Sequence, residues 1–212
     1  MCGIIAYKGE KKASEILFEG LKNLEYRGYD SAGMITLENK NFDLRKDKGK
    51  VDEVNRKLNF LGMNGNFGMA HTRWSTHGVP SKINCHPHLS NDGNIAVVHN
   101  GIIENYQILR TELEREGYYF VSGTDSEVIP ILVEKFMKEY NFKDSVFKTL
   151  KMLEGTFAVI FINKFSNELI ASRKSISLIF GIGDKEFFLS SNFNSFIKYT
   201  KKVFFLEDED VI

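Results

Sequence analysis

The sequence predicts a single domain of α+β type, with strands toward its two ends, helices in its middle and sheets that those helices can cover. Three observations carry this expectation. Residues 2–7 form a short apolar run ended by Gly9, the pattern of a buried strand. Residues 106–116 and 126–140 read as helices, the second with an apolar stripe at helical spacing. From Gly155 onward, short β-rich runs alternate with turn residues.

Along the chain, Ser14 is placed to cap a helix whose Leu17, Leu21 and Leu24 fall at i, i+4 and i+7, with Phe18 widening the stripe and Gly28 ending it. Residues 34–37 and 42–45 flank Glu38-Asn39-Lys40-Asn41 and read as a hairpin. Residues 67–71 read as a strand. The helix over 126–140 carries a capping box, Thr124-Asp125-Ser126-Glu127, and the stripe Val128, Ile131, Leu132 and Phe136. Pro130 requires it to start late or to kink. The runs 157–162, 168–171, 178–182 and 187–190 predict a meander of paired strands. No repeat, low-complexity tract or linker divides the chain.

Lys and Arg number 28, as do Asp and Glu, and this zero net charge gives no footprint for nucleic acid or an anionic membrane. The longest apolar run, 157–162, is too short to span a bilayer. The N-terminal segment carries Lys8, Glu10, Lys11 and Lys12 with no apolar stretch of a secretory signal. Two cysteines, Cys2 and Cys85, make neither a disulfide framework nor a C-x-x-C pair, and the expected location is the cytoplasm.

Four features could carry chemistry. Cys2 directly follows Met1, so removal of Met1 leaves a thiol and a free α-amine on one residue. An α-amine titrates near pH 7.7–8.0 and a lysine near 10.4, so the α-amine is free base at neutral pH roughly a few hundred times more often. It can serve as general base for its own side chain. The structural alternative is a small buried residue opening a strand. Second, all five histidines, His71, His77, His86, His88 and His99, crowd into one segment around Cys85, which raises a zinc site as an alternative. No H-E-x-x-H is present, His86-Pro87-His88 is held extended by its proline, and a full tetrahedral ligand set cannot be assigned.

Third, the segment Thr72-Arg73-Trp74-Ser75-Thr76-His77-Gly78 offers a guanidinium fork for a carboxylate, hydroxyl and imidazole groups, and an indole to exclude water. Fourth, Asn100-Gly101 at a strand end can form an oxyanion hole, although Asn-Gly is also a turn pair. Asp125 suits a substrate ammonium or the N-terminus of its own helix. Together these groups answer the amide, carboxylate and ammonium of one substrate, glutamine.

The strings MCGI (1–4), LEYRGYDSAG (24–33), HTRWSTHG (71–78), NCHPH (84–88), VVHNGIIEN (97–105) and SGTDSEV (122–128) carry a resemblance through essentially the whole chain. The sequence resembles the glutaminase domain of the glucosamine-6-phosphate synthase family (glutamine:fructose-6-phosphate aminotransferases), class II glutamine amidotransferases of the N-terminal nucleophile hydrolase type. The resemblance implies a four-layer αββα fold with two stacked, mainly antiparallel sheets. It implies Cys2 as the nucleophile freed by methionine removal, Asn100 and Gly101 as the oxyanion hole, Arg73 on the glutamine carboxylate and Asp125 on its ammonium. Thr76 and His77 would line the pocket, Trp74 would sit on a closing loop, and Arg27 and Gly28 would support the cysteine. His86 would stand behind the groups that touch substrate.

Two segments depart from the family pattern. Arg173-Lys174-Ser175-Ile176-Ser177-Leu178 stands where the pattern reads R-x-G-S-P-L, and Ser191-Asn192 where it has Ser-Asp. In the family a sugar-phosphate isomerase domain follows, and this chain ends at Ile212 before it. The implied reaction is glutamine hydrolysis through a γ-glutamyl thioester on Cys2, with no metal and no cofactor. Implied partners are glutamine, the isomerase domain in cis and a second copy in a homodimer. The alternatives are another class II enzyme such as amidophosphoribosyltransferase, a zinc hydrolase, and a non-catalytic glutamine-binding module.

Overall fold

The computed structural model describes residues 2–74 and 81–212. In chain order the elements are β1 (Gly3–Lys8), α1 (Ala13–Leu24), β2 (Ser31–Glu38), β3 (Asn41–Lys48), α2 (Val51–Leu58), β4 (Phe67–Arg73), β5 (His88–Leu89) and β6 (Ile95–Ile103). There follow α3 (Tyr106–Arg115), α4 (Val128–Phe136), α5 (Phe142–Met152), β7 (Gly155–Asn163), β8 (Leu169–Lys174), β9 (Ile179–Ile182), β10 (Phe187–Ser190) and β11 (Val203–Phe205).

The strands form two sheets, one ordered β11-β9-β10-β1-β4-β2-β3 and the other β5-β6-β7-β8. Every pairing between these strands is antiparallel. Alternation along each strand builds three cores. On β1, Ile5 and Tyr7 pack under α1 and α2 with Leu17, Leu21 and Val54. Ile4 and Ala6 face the second sheet, where Val98, Ile160 and Ile162 meet Met69 and Ile35. On the far side, Val97, Val159 and Phe161 pack beneath α3, α4 and α5 with Leu113, Ile131 and Val146. The layers are therefore helix, sheet, sheet, helix, and central strands buried on both faces read as unbroken apolar runs. Burying each such side chain contributes about 1.5–3 kcal/mol.

Several expectations change in detail. The hairpin strands extend to Ser31–Glu38 and Asn41–Lys48, joined through Asn39 and Lys40, both at positive φ as a type I′ turn requires. Ser14 does not cap α1: Lys12 holds that position, and the Ser14 hydroxyl donates to the Met63 carbonyl inside the core (2.8 Å). The helix expected over 126–140 spans only Val128–Phe136, so Pro130 falls in its first turn, where no intrahelical N–H donor is lost. The capping glutamate acts further upstream, with Glu127 accepting from the backbone N–H of Val121 (3.0 Å) and Ser122 (2.7 Å).

The expected C-terminal meander is split. β7 and β8 belong to the four-stranded sheet, whereas β9 and β10 cross to the seven-stranded one. The crossing passes through the segment that departs from the family pattern, and Ser175 sits there at φ +64° in the position of the pattern's glycine. A left-handed conformation costs an L-residue roughly 1–2 kcal/mol. Here it is bound in place: the Ser175 N–H donates to Asp208 (2.8 Å), and Arg173 pairs with Asp208 while donating to the Leu206 carbonyl (2.9 Å). Among the described residues, no helix is long and apolar enough to cross a membrane.

Candidate active site

The chemistry-bearing residues continue the inter-sheet faces of three strands. Side chains two apart share a face of a strand. Cys2 extends the series of Ile4 and Ala6, His71 and Arg73 extend that of Phe67 and Met69, and Asn100 extends that of Ala96 and Val98. All arrive at one end of the core between the sheets. β1 pairs with β4 through Gly3–Thr72 and Ile4–His71, so the same register carried one residue further sets Cys2 beside Arg73.

Cys2 is half-buried there. The Trp74 N–H donates to its Sγ at 3.4 Å, and the thiol faces the Trp74 carbonyl at 3.7 Å. Burial pushes the thiol pKa up, against the Trp74 N–H and the positive charges of Arg73 and Arg27. A thiol in this setting is not a ready-made thiolate and needs a base. The Cys2 carbonyl accepts from Arg27 Nε (3.1 Å) and from Asn100 Nδ2 (3.1 Å), which fixes the backbone that bears the thiol. Gly28 lies against the Arg73–Trp74 peptide: a Cβ on it would come within 2.7 Å of the Arg73 carbonyl carbon and the Trp74 nitrogen.

Arg73 is buried at the end of β4, and Trp74 is exposed with its ring 5.4 Å from that of Tyr29. Asn100 is buried, and Gly101 follows it at φ +123°, where a Cβ would lie 2.0 Å from the Thr156 carbonyl oxygen. Only glycine fits that turn of the backbone. Asp125 precedes α4, half-buried, and its Oδ2 accepts from the Ile103 N–H at 2.8 Å, two residues beyond Gly101. It therefore sits at the end of β6 and not on the N-terminus of the helix. Thr76 and His77 lie outside the described residues.

The histidines form a packed polar layer beneath these groups. His71 Nε2 lies 3.0 Å from Asn100 Oδ1, and its ring stacks on His86 with centroids 4.2 Å apart. His86 Nδ1 accepts from the His99 N–H (3.3 Å), and its ring meets His88 edge-on at 4.6 Å. His88 Nε2 faces the Thr124 hydroxyl (3.3 Å) and His99 Nδ1 the Ser126 hydroxyl (2.8 Å). The four described imidazoles are engaged with one another, with hydroxyls and with the Asn100 amide. Among the described residues, no three His, Cys, Asp or Glu side chains are grouped to hold a metal ion. His86 was expected behind the site; its neighbour His71, read only as part of the crowding, is the one that touches Asn100.

Burial holds all four imidazoles neutral. His71 is lowered to about 3 despite its bond to Asn100, and His86, His88 and His99 are also lowered, chiefly by burial. Groups depressed in the folded state contribute stability that is complete above the unfolded pKa near 6.5 and is lost as pH falls toward the folded value. Each adds a slope of up to about 1.4 kcal/mol per pH unit in that window. Urea midpoints measured from pH 7 to 4.5 are expected to fall steeply below about pH 6.5; a flat profile to pH 5 contradicts the neutral layer.

Two stacked antiparallel sheets between helix layers, with a cysteine at the head of a central strand, define the class: the N-terminal nucleophile hydrolase fold of glutamine amidotransferases. A family model described as a glutamine amidotransferase domain matches residues 71–198, and the chain belongs to that family, in its class II branch. Relatives called glutamine–fructose-6-phosphate aminotransferase (isomerizing) include one from Clostridium perfringens, 47% identical over 100% of this chain. Another, from Pyrococcus horikoshii, is 48% identical over 98% of this chain. The chain spans 35% of the length of each.

Among solved structures, the glutamine phosphoribosylpyrophosphate amidotransferase of B. subtilis aligns with a TM-score of 0.83 at 24% identity, over 97% of this chain and 44% of that one. A class II domain protein from Silicibacter pomeroyi aligns at 0.65 and 16% identity, over 98% and 92%. At such identities the likeness speaks for the fold alone, and amidophosphoribosyltransferase is a distant fold neighbour of this chain.

Proposed function

We propose that this chain hydrolyses the side-chain amide of L-glutamine to glutamate and ammonia, with Cys2 as nucleophile. The observation that carries the reading is the convergence of the Cys2 thiol, the Asn100 amide and the Arg73 guanidinium at one end of the inter-sheet core. The free α-amine of Cys2 takes the thiol proton and Sγ attacks the amide carbon. The oxygen, now an anion, is met by Asn100 Nδ2 and the Gly101 N–H. The C–N bond breaks as the amine returns the proton to the leaving nitrogen, giving ammonia and a γ-glutamyl thioester. Water, deprotonated by the same amine, then releases glutamate and restores the thiol. Arg73 holds the substrate carboxylate and Asp125 its ammonium. No metal or cofactor takes part.

In the same reading this is the ammonia-supplying half of glucosamine-6-phosphate synthesis from fructose 6-phosphate, a cytoplasmic reaction. A sugar-phosphate isomerase domain then works in cis, and two copies pair as a homodimer. Support comes from relatives at 47–48% identity that bear that activity's name and are longer than this chain. The test is product analysis. Incubated with glutamine and fructose 6-phosphate, the 212-residue chain is expected to release glutamate and ammonia one to one and to form no amino sugar. Glutamine binding without glutamate release contradicts the reading and favours a sensor. Glucosamine 6-phosphate from this chain alone contradicts the division into domains.

A further inference from the structure

The orientation of the Asn100 amide is decided from behind. His71 Nε2 lies 3.2 Å from the backbone carbonyl oxygen of His99 as well as 3.0 Å from Asn100 Oδ1. A carbonyl oxygen only accepts, so Nε2 carries the ring proton. An N–H at that place requires an acceptor on Asn100, and the amide must therefore present Oδ1 inward and Nδ2 outward, where it reaches the Cys2 carbonyl at 3.1 Å. Turned over, the same amide would set its NH2 against the His71 N–H. It would also set its oxygen against the Cys2 carbonyl and against any anion forming beside the thiol. Oxygen and nitrogen of an amide differ little in shape, so packing alone does not choose between the two. The His71 ring is in turn held by its stacking on His86 and by its place on β4, opposite Ile4 and Gly33.

We propose that His71 is a positioning residue, locked as the Nε2–H tautomer by the His99 carbonyl, which holds the Asn100 amide with its N–H groups toward the nucleophile. The inference rests on the glutaminase reading and adds to it a residue that touches neither substrate nor thiol. It implies that His71 acts only through Asn100.

Four proteins test it in a glutamate-release assay: His71→Phe, His71→Gln, Asn100→Ala and the double variant His71→Phe/Asn100→Ala. Phenylalanine keeps the ring and its stacking but removes the donor, and glutamine restores an N–H at about the reach of Nε2. Losing the donor costs a factor of roughly 10²–10³, and losing its orientation acts on that same scale. His71→Phe is expected to lower kcat by roughly tenfold or more, with KM nearly unchanged. The double variant is expected to match Asn100→Ala, because nothing is left to orient. His71→Gln is expected to recover most of kcat. Losses that multiply in the double variant, a His71→Phe enzyme with unchanged kcat, or a glutamine variant as slow as the phenylalanine one overturn the proposal.

Should His71→Phe fail to fold, long-range 1H–15N correlation spectra of the unaltered protein decide. Protonation at Nε2 is the expected result, and a proton on Nδ1 overturns the proposal. An unaltered protein that releases no glutamate removes the glutaminase reading itself. An active protein whose His71 variants behave otherwise removes only this inference.

Discussion

Cys2→Ala is expected to abolish glutamate release, while Cys85→Ala leaves most of it. Burial pushes both thiols up, and they differ in exposure, in what they face and in the α-amine that only Cys2 can carry. Cys2 is half-buried at the mouth of the inter-sheet core, beside two guanidinium groups and the Trp74 N–H. Cys85 is 1% exposed, its Sγ donates to the Ser81 carbonyl (3.1 Å), and burial pushes its pKa up. Every covalent step of the proposed reaction runs through Cys2, so its removal costs on the order of 10⁴–10⁶ in kcat, the scale seen when a nucleophile is deleted. A glutamine-mimicking electrophile such as 6-diazo-5-oxonorleucine is expected to add once, at Cys2. Addition mapped to Cys85 contradicts the assignment.

Asn100→Ala and Arg73→Ala are expected to separate in their kinetics. Asn100 Nδ2 donates to the Cys2 carbonyl at rest; in the proposed reaction it donates to the substrate oxyanion in the transition state, so its loss is expected to fall on kcat. One such donor contributes about 2.7–4 kcal/mol, or roughly 10²–10³ in kcat. In the same proposal Arg73 holds a carboxylate that is unchanged between ground and transition state, so its loss is expected to fall on KM. The measurement is the split of kcat and KM for the two variants, read beside a melting curve because both side chains are buried. Interchanged signatures would reverse the two roles.

Much of this site was legible in the sequence because its members stand at strand ends. Cys2 opens β1, Arg73 closes β4, and Asn100 and Gly101 lie near the end of β6. Short apolar runs pointed to the strands, and the polar residues beside them marked where each strand leaves the core. The contact of His71 with Asn100 was not legible, since it joins residues from β4 and β6, and no local pattern fixes which strands of two different sheets face each other. Nor did the sequence disclose that the late strands divide between sheets, because β8 and β9 each read only as a short strand, and the sheet a strand joins is set by its partner: β7 for β8 and β10 for β9. α5 went unread for another reason. Its buried face is the narrow stripe Phe142, Val146 and Thr149 among lysines, though Asn141 supplies a true N-cap, accepting from Asp144 N–H at 2.9 Å. The crossing at Ser175 shows the converse: a departure from the family pattern was visible, but the Asp208 carboxylate that holds the serine there lies 33 residues away.

In the proposed mechanism Cys2 supplies its own base, and removal of Met1 is what creates that base. While Met1 is attached, the Cys2 nitrogen is a peptide amide with no basic lone pair. Burial has already pushed the thiol up, so at neutral pH it holds less thiolate than the few per cent of a free cysteine. Freed, the nitrogen becomes an α-amine, a group that ordinarily titrates at about 7.7–8.0 and can take the proton. The measurement is the glutaminase rate against the fraction of protein that begins at Cys2, determined by intact mass before and after treatment with a methionine aminopeptidase. The rate is expected to be proportional to that fraction, with Met1-retaining protein nearly inactive while its circular dichroism and melting temperature are unchanged. A rate independent of that fraction would mean that another group is the base, and the self-activating cysteine would have to be abandoned.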